Sequence, residues 1–282
     1  MMHTQAKTEH GCGNAMCSCQ PGDFTRLRYF FGQHLGVVDF NDQLAYDIGK
    51  HRFSNRHLHS LGVLCGLRAE RMVFPQGAVP ETPTSLLRVT RGAAIDACGR
   101  EVLVPVDQCI DVNGWLAKYR ERPDVQAWNA DHPATVWVGL RYRECPSGPA
   151  PAPRDLCGCD SGGCEFSRVL EGFELALLTA SEIADLKEMT FPSTKDLINA
   201  HVEPDFSAAD FAANAFRNRL TELVSTDCKD NCCGDWLILA RISLEVDAFP
   251  PQQVLDIASI EIAIPERRTL LSTSALQVLV ES

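Results

Sequence analysis

Cysteine is the feature that most constrains this chain. Of its 13 cysteines, ten fall in three groups, each in a stretch of polar residues and glycine. The groups are Cys12, Cys17 and Cys19; Cys145, Cys157, Cys159 and Cys164; and Cys228, Cys232 and Cys233. The remaining Cys65, Cys98 and Cys109 stand singly among apolar residues. A free cysteine in such a place is expected to pack as a small core side chain.

The second group has the ligand types of a tetrahedral structural zinc site. Zinc prefers soft thiolates on short side chains, and the Gly/Pro-rich loop between Cys145 and Cys164 lets the backbone curl around an ion. A loop with so little apolar surface gains from a metal cross-link. The sequence predicts one or two structural zinc ions, with these candidate ligands: Cys145, Cys157, Cys159, Cys164, Cys228, Cys232 and Cys233. Disulfides, free thiols and an iron–sulfur cluster are the alternatives.

Alternating apolar residues predict strands beside both cysteine groups. The strands are 136–142, which runs into Cys145, 173–179, which begins after Cys164, and 236–246, which begins after Cys233. If the first strand pairs antiparallel with the other two, the cysteines of both groups lie at one end of a single sheet. The third group then shares ligands with the second or completes its own site.

Strands and helices do not alternate regularly along the chain. Helices are predicted from Asp39 to about Leu58, over 114–121 and over 208–225, and further strands over 62–67, 86–90, 93–96, 101–106 and 257–264. This order predicts an α+β fold of mainly antiparallel sheets, a few helices and Cys-rich metal-stabilised loops. The predicted organisation is an arm over 1–22, a helix and hairpin domain over 23–125, and a Cys-rich region over 126–282 that packs with it.

Charge and hydropathy exclude several classes of function. The formal net charge of −11 argues against non-specific nucleic-acid binding, which needs Lys and Arg to neutralise phosphates. No stretch approaches the roughly 18 uninterrupted apolar residues of a membrane span. The first ten residues lack the apolar segment of a signal peptide, so we expect synthesis in the cytoplasm, where thiols stay reduced.

Catalytic motifs are absent from the sequence. It contains no His-Glu-x-x-His, Gly-x-Ser-x-Gly, Walker A or Gly-x-Gly-x-x-Gly pattern. His57 and His59 fall on a predicted helix, where residues two apart point about 200° apart and do not chelate one ion. The sequence therefore predicts no enzyme activity, with a thiolate-metal enzyme or a thiol redox module as the alternatives.

A set of short motifs resembles a known bacterial family. The motifs are Arg28-Tyr-Phe-Phe-Gly-Gln33, Asp39-Phe40, Asn55, Leu58-His59, Gly62-Val63, Gly66-Leu67, Gly92-Ala-Ala-Ile-Asp96 and Gly99-Arg-Glu-Val102. Together they resemble a family found with phage-tail-like contractile injection systems, over about residues 27–110. Phe31 stands where members often have Asp, and Ser60 where Gly follows the Leu-His pair.

The resemblance implies a structural particle component at or near the baseplate. Its partners would be other subunits of the assembly, and the particle would leave the cell by lysis. Arg28, Tyr29, Phe30 and Gln33 are the candidate interface residues, because aromatic rings and arginine dominate interface energetics. The alternative is that the aromatic side chains fix the helix onto a sheet. We expect Arg28 at the interface and Phe30 in the core.

Overall fold

The computed structural model describes residues 24–59, 61–72, 85–129, 131–151, 164–187, 236–262 and 270. At residues 151, 164 and 185–187 it describes the backbone alone. The cysteines of the first and third groups, Cys157, Cys159 and the helix predicted over 208–225 lie outside the described residues.

The first element is a long helix, α1 (Val37–Ser54), which continues into a single π-helical turn (Asn55–His59). Gly36 is the N-cap of α1. Asp39, in the first turn, stabilises this end of the helix because its Oδ2 accepts a hydrogen bond from the backbone N–H of Gly36 at 2.7 Å. The predicted helix is confirmed, and it begins at Val37, two residues before the predicted start at Asp39. His57 and His59 both lie on the π-helical turn and not on a strand.

Six short strands form two three-stranded antiparallel sheets. The strands are β1 (Gly62–Gly66), β2 (Ala69–Arg71), β3 (Leu86–Val89), β4 (Gly92–Ile95), β5 (Glu101–Val104) and β6 (Gln108–Asp111). The orders are β1-β4-β5 and β2-β3-β6. Each strand of one sheet is separated by two or three residues from a strand of the other. The two sheets therefore consist of three long strands, and each long strand bends at the same height to pass from one sheet into the other.

The bend is held by two backbone–backbone hydrogen bonds and one backbone-to-side-chain hydrogen bond at the corner of the three strands. Leu67 N donates to Arg91 O at 3.3 Å, Thr90 N donates to Arg68 O at 2.9 Å, and Arg91 N donates to Oδ1 of Asp107 at 2.8 Å. Gly66 lies at φ +62° and pairs across the sheet with Gly92. A Cβ on Gly92 would stand 2.2 Å from Cys65 O. The two glycines let the strands approach at the corner more closely than any side chain would allow.

The third sheet has four antiparallel strands in the order β10-β9-β7-β8. They are β7 (Thr135–Pro151), β8 (Cys164–Leu178), β9 (Leu237–Val246) and β10 (Val254–Glu261). β9 pairs only with residues 135–140 of β7, whereas β8 follows β7 from Trp137 to Pro151. Residues 143–151 and 164–172 therefore extend beyond the sheet by about 30 Å as a two-stranded structure, which we call the β7–β8 ribbon.

Three short helices lie between the strands: α2 (Val112–Tyr119), α3 (Pro123–Gln126) and α4 (Ala180–Lys187). Asp111 caps α2 by accepting from Gly114 N at 3.0 Å. Asn113, the second residue of α2, accepts from Val254 N at 2.8 Å through Oδ1 and donates to Oγ of Ser85. Asn113 therefore joins the second and third sheets.

A partly buried acid holds α3 against the start of α4. Asp124 accepts hydrogen bonds from Arg122, Thr179 and Ser181. Burial alone would raise the pKa of Asp124, but these three donors hold it well below its usual range. The carboxylate therefore remains ionised and keeps both helices in place.

One hydrophobic core joins all three sheets. It includes Val63, Leu87, Val136, Leu239 and Ile257, so residues on both sides of position 125 share it. The α+β fold with mainly antiparallel sheets is confirmed. Among the described helices, none has both the length and the apolar character needed to cross a membrane.

Candidate interaction surface

Three consecutive aromatic residues before α1 project into solvent. Tyr29, Phe30 and Phe31 are 59%, 67% and 106% exposed. The expectation that Phe30 lies in the core is wrong, and so is the alternative that these aromatic side chains fix α1 onto a sheet. Arg28 is exposed as expected. We call residues 24–36 the aromatic segment.

Gln33 shapes the turn that presents these rings. Its backbone N–H donates to Phe30 O at 3.2 Å, and its side-chain Oε1 accepts from Phe30 N at 3.3 Å. Gly32, within the turn, lies at φ +82°, a conformation that favours glycine. Gln33 is half-buried, so its role in the segment is to close the turn.

Phe24 anchors the aromatic segment to α1. Its ring packs edge-on against Tyr46 and Phe53, with centroids 6.3 and 5.7 Å apart, and the Lys50 ammonium lies 4.8 Å from its centroid. A Cβ on Gly49 would approach the Phe24 ring to 3.2 Å, so a glycine in the helix makes room for it. The segment and the helix therefore present one continuous surface.

α1 itself buries none of its 18 residues. Its apolar residues recur at helical spacing as Val37, Phe40, Leu44 and Ile48, and each is more than a third exposed. These residues form an apolar face on α1, and that face is exposed to solvent. An exposed stripe of this kind is typical of a surface that meets another protein.

The C-terminal end of α1 is fixed to the hairpin between β4 and β5. Asn55 Nδ2 donates to Gly99 O at 3.1 Å and to Oε1 of Glu101 at 3.3 Å. Gly99 lies at φ +78°, and a Cβ there would stand 2.1 Å from Arg52 O. Arg52 also pairs with Glu144 of β7 at 3.3 Å. Contacts from two sheets thus hold the helix end.

The hairpin turn, residues 96–100, is organised around Asp96. Its Oδ1 accepts from Cys98 N at 2.9 Å and from Arg100 N at 2.8 Å, and its Oδ2 accepts from Nε of Arg100 at 2.5 Å. The Arg100 guanidinium lies 4.9 Å from the Tyr142 ring centroid. Burial first, and then the nearby Glu144 and Glu171 carboxylates, raise the pKa of the Tyr142 hydroxyl. Tyr142 therefore stays neutral and donates to Glu144 at 2.9 Å.

The motif residues thus divide into two sets with different roles. Arg28, Tyr29 and Phe30 are exposed. In the second set, Asn55, Gly99 and Glu101 join the end of α1 to the hairpin, and Asp96 and Arg100 hold the hairpin turn together. The motifs taken from the sequence include all five residues of the second set, but sequence reasoning predicted none of the contacts that these residues make. The sequence signal for this second set is an Asp and an Arg that flank a hairpin turn containing glycine.

The cysteines that stand singly differ from expectation. Cys65 and Cys109 are free and exposed, so neither packs as a core side chain. Cys98 is half-buried and disulfide-bonded, and Cys145 is also disulfide-bonded. Cys98 and Cys145 are therefore oxidised in this structure, and neither is a reduced thiol.

The strand pairing expected beside the cysteine groups is confirmed, since β7 is antiparallel to both β8 and β9. The strands are longer than predicted, however, and Cys145 lies opposite Leu170 while Cys164 lies opposite Pro151. Six strand positions separate the two cysteines, or about 20 Å. A four-thiolate site that includes both Cys145 and Cys164 is therefore not formed in this structure.

The described residues contain no group of three or more His, Cys, Asp or Glu side chains placed to hold a metal ion. Cys157, Cys159, Cys228, Cys232 and Cys233 are outside the described residues, and Cys164 has its backbone alone described. The His57 ring packs against Phe53, with centroids 4.3 Å apart.

Neither a protein-family model nor a curated protein matches this chain. Among solved structures, one match is described as the type VI secretion system TssK-TssF-TssG baseplate subcomplex, with 15% identity and a TM-score of 0.29, covering 56% of this chain and 51% of that one. Another is the baseplate complex from the type VI secretion system, with 15% identity and a TM-score of 0.24, covering 72% and 79%. This chain spans about half the length of the first. At these TM-scores neither match carries an argument about this chain.

Proposed function

We propose that the protein is a non-enzymatic structural subunit of a phage-tail-like contractile injection system, at or near its baseplate. The family resemblance over residues 27–110 supports the kind of assembly. The observation that carries the structural role is the surface formed by the aromatic segment and α1. Three exposed aromatic side chains and an 18-residue helix without a buried residue are explained by contact with neighbouring subunits.

Electrostatics support the placement of this contact. The aromatic segment carries Arg26 and Arg28 and no acidic residue, in a chain whose net charge is −11. A neighbouring subunit with an acidic surface would be attracted here and repelled elsewhere. Arg28, Tyr29 and Phe30 form the interface, and Gln33 holds the turn that presents them.

Replacing Arg28 and Tyr29 by alanine should reduce incorporation of the protein into particles by about tenfold or more, as loss of central aromatic and arginine contacts does. The melting temperature of the isolated protein should change little, because both side chains are exposed. Quantitative immunoblots of purified particles and one melting curve measure both effects.

The matched control is Leu103→Ala, which removes a 65% exposed apolar side chain from β5, outside this surface. Its incorporation should equal that of the wild type. Electron microscopy of a strain that lacks the gene completes the test. Intact, complete particles from that strain would contradict an architectural role.

We also propose that zinc is bound by thiolates of the second and third cysteine groups, without Cys145. This proposal rests on ligand type and spacing in the sequence. Elemental analysis of protein purified without added metal should give about one or two zinc ions per chain. Cys157→Ser should lower the zinc content, whereas Cys65→Ser, which alters a free exposed thiol, should not. A stably folded protein without metal would refute the proposal.

A further inference from the structure

β1 is the outer strand of the first sheet, and a backbone group from the C-terminal part of the chain contacts it. The order β1-β4-β5 leaves β1 with one neighbour among the strands that the structure describes. A sheet edge presents backbone N–H and C=O groups that can pair with a further extended segment. Leu270 N donates to Val63 O at 2.9 Å. Because β4 occupies the other side of β1, this donor approaches from the open edge.

The contact at Val63 lies beside the hydrophobic core. Val63 is 1% exposed and belongs to that core, and Leu270 is half-buried. A carbonyl in such a place normally needs a hydrogen-bond donor, which Leu270 supplies. In an antiparallel pair, the N–H and the C=O of one residue point to the same neighbouring strand. Val63 therefore offers a donor as well as an acceptor at this edge.

The chain beyond β10 has the direction and the length to follow the edge. β10 lies beside the end of β2, where Arg71 pairs with Asp256 at 3.2 Å and donates to Ala258 O at 3.3 Å. β1 and β2 belong to one bent strand, on which Arg71 and Val63 are about 26 Å apart. The chain from Ala258 to Leu270 can span about 40 Å. Residue numbers rise along one side while they fall along the other, which is the antiparallel sense.

The sequence after β10 has the composition of a strand. Residues 269–280 contain no charged residue, glycine or proline, and Leu, Val and Thr fill eight of these twelve positions. Pro265 separates this stretch from β10, which favours a separate strand over a continuation of β10. So apolar a stretch gains free energy when it leaves water and packs against the sheet.

We propose that the open edge of β1 is the docking site of the chain's own C-terminal segment, residues 266–282, which adds to the first sheet as an antiparallel strand through Leu270. Main-chain hydrogen bonds give the affinity in this mode of recognition. The docked segment joins the first sheet to the third and closes an edge on which other extended chains could pair. The proposed function rests on the aromatic segment and α1, so the two sites are separate.

Hydrogen exchange of the full chain, measured by mass spectrometry on fragments that contain β1, tests this docking. Leu270→Pro removes the N–H that donates to Val63 O, so exchange at β1 should become at least about tenfold faster. Leu270→Ala is the matched control, because it shortens the same side chain and keeps the N–H. Its exchange at β1 should stay within about threefold of the wild type. Unchanged exchange in the proline variant would contradict the docking.

A photo-cross-linker at the edge identifies the occupant in a chain that keeps Leu270. Leu64, on β1, is 46% exposed and can be replaced by p-benzoylphenylalanine. After irradiation of mixed isotopically light and heavy chains, we expect cross-links from position 64 to fragments that contain Leu270, with both ends in one chain. Cross-links between light and heavy chains would assign the edge to a second copy. Either that result or no cross-link to these fragments overturns the proposal and leaves the proposed function standing.

Discussion

Asp96→Ala should lower the free energy of unfolding by about 3–5 kcal/mol, the usual cost of removing one partner of a buried ion pair. The side chains of Asp96 and Arg100 are 4% and 10% exposed, and their charged atoms approach to 2.5 Å. Without the carboxylate, the guanidinium stays buried with no counter-charge from Asp96, and two backbone N–H groups of the turn lose their acceptor. Urea denaturation followed by circular dichroism measures the change.

The control for this variant is Asp107→Ala. Asp107 also accepts a backbone hydrogen bond, from Arg91 N at 2.8 Å, but its side chain is 45% exposed. Its loss should cost about 1 kcal/mol. An Asp96→Ala protein as stable as the Asp107→Ala protein would show that the turn does not depend on the ion pair.

Gly92→Ala should cost about 3 kcal/mol, at the upper end of what overpacking usually costs. The added Cβ would stand 2.2 Å from Cys65 O and 2.7 Å from Leu67 N, and both are backbone atoms of the neighbouring strand. A flexible side chain could rotate away, but a paired strand moves only if the corner of the sheet opens. Thermal unfolding and urea denaturation both report this loss.

Gly172→Ala is the matched substitution, since its Cβ would meet no atom closer than 3.9 Å and it also lies in a strand. Its stability should stay within about 0.5 kcal/mol of the wild type. If the two alanine variants unfold at the same denaturant concentration, close approach of the strands does not explain Gly92.

Strand positions could be predicted from alternation, but their lengths could not. In residues 136–142, large apolar or aromatic side chains recur at every second position, as Val136, Val138, Leu140 and Tyr142, and β7 includes this segment. β7 then continues through Pro146, Pro149 and Pro151, residues that normally argue against a strand. They are tolerated because the β7–β8 ribbon extends beyond the sheet, where fewer backbone N–H groups need a neighbouring strand. Neither β2 nor β6 was predicted, because Ala69-Glu-Arg71 and Gln108-Cys-Ile-Asp111 contain no alternating apolar residues.

The interaction surface was harder to predict, because hydrophobicity alone does not tell a core residue from an interface residue. Phe30 and the stripe of α1 have the composition of buried elements, yet they are exposed. The contact between Arg100 and Tyr142 joins residues that are distant in sequence, so no local pattern could indicate it. The Asp96 turn was visible as a hairpin, but its ion pair depends on how tightly the tertiary structure buries it.

The exposure of α1 also affects the free subunit, before it is incorporated into an assembly. A helix that contributes no buried side chain can change its exposed residues with little loss of folding stability, so partner specificity can evolve separately from the fold. The same helix is a liability in the free subunit, because an exposed apolar stripe favours aggregation at high concentration. Cells that make this protein therefore gain from matching its synthesis to that of its partners, while the acidic remainder of the chain keeps the surplus dispersed.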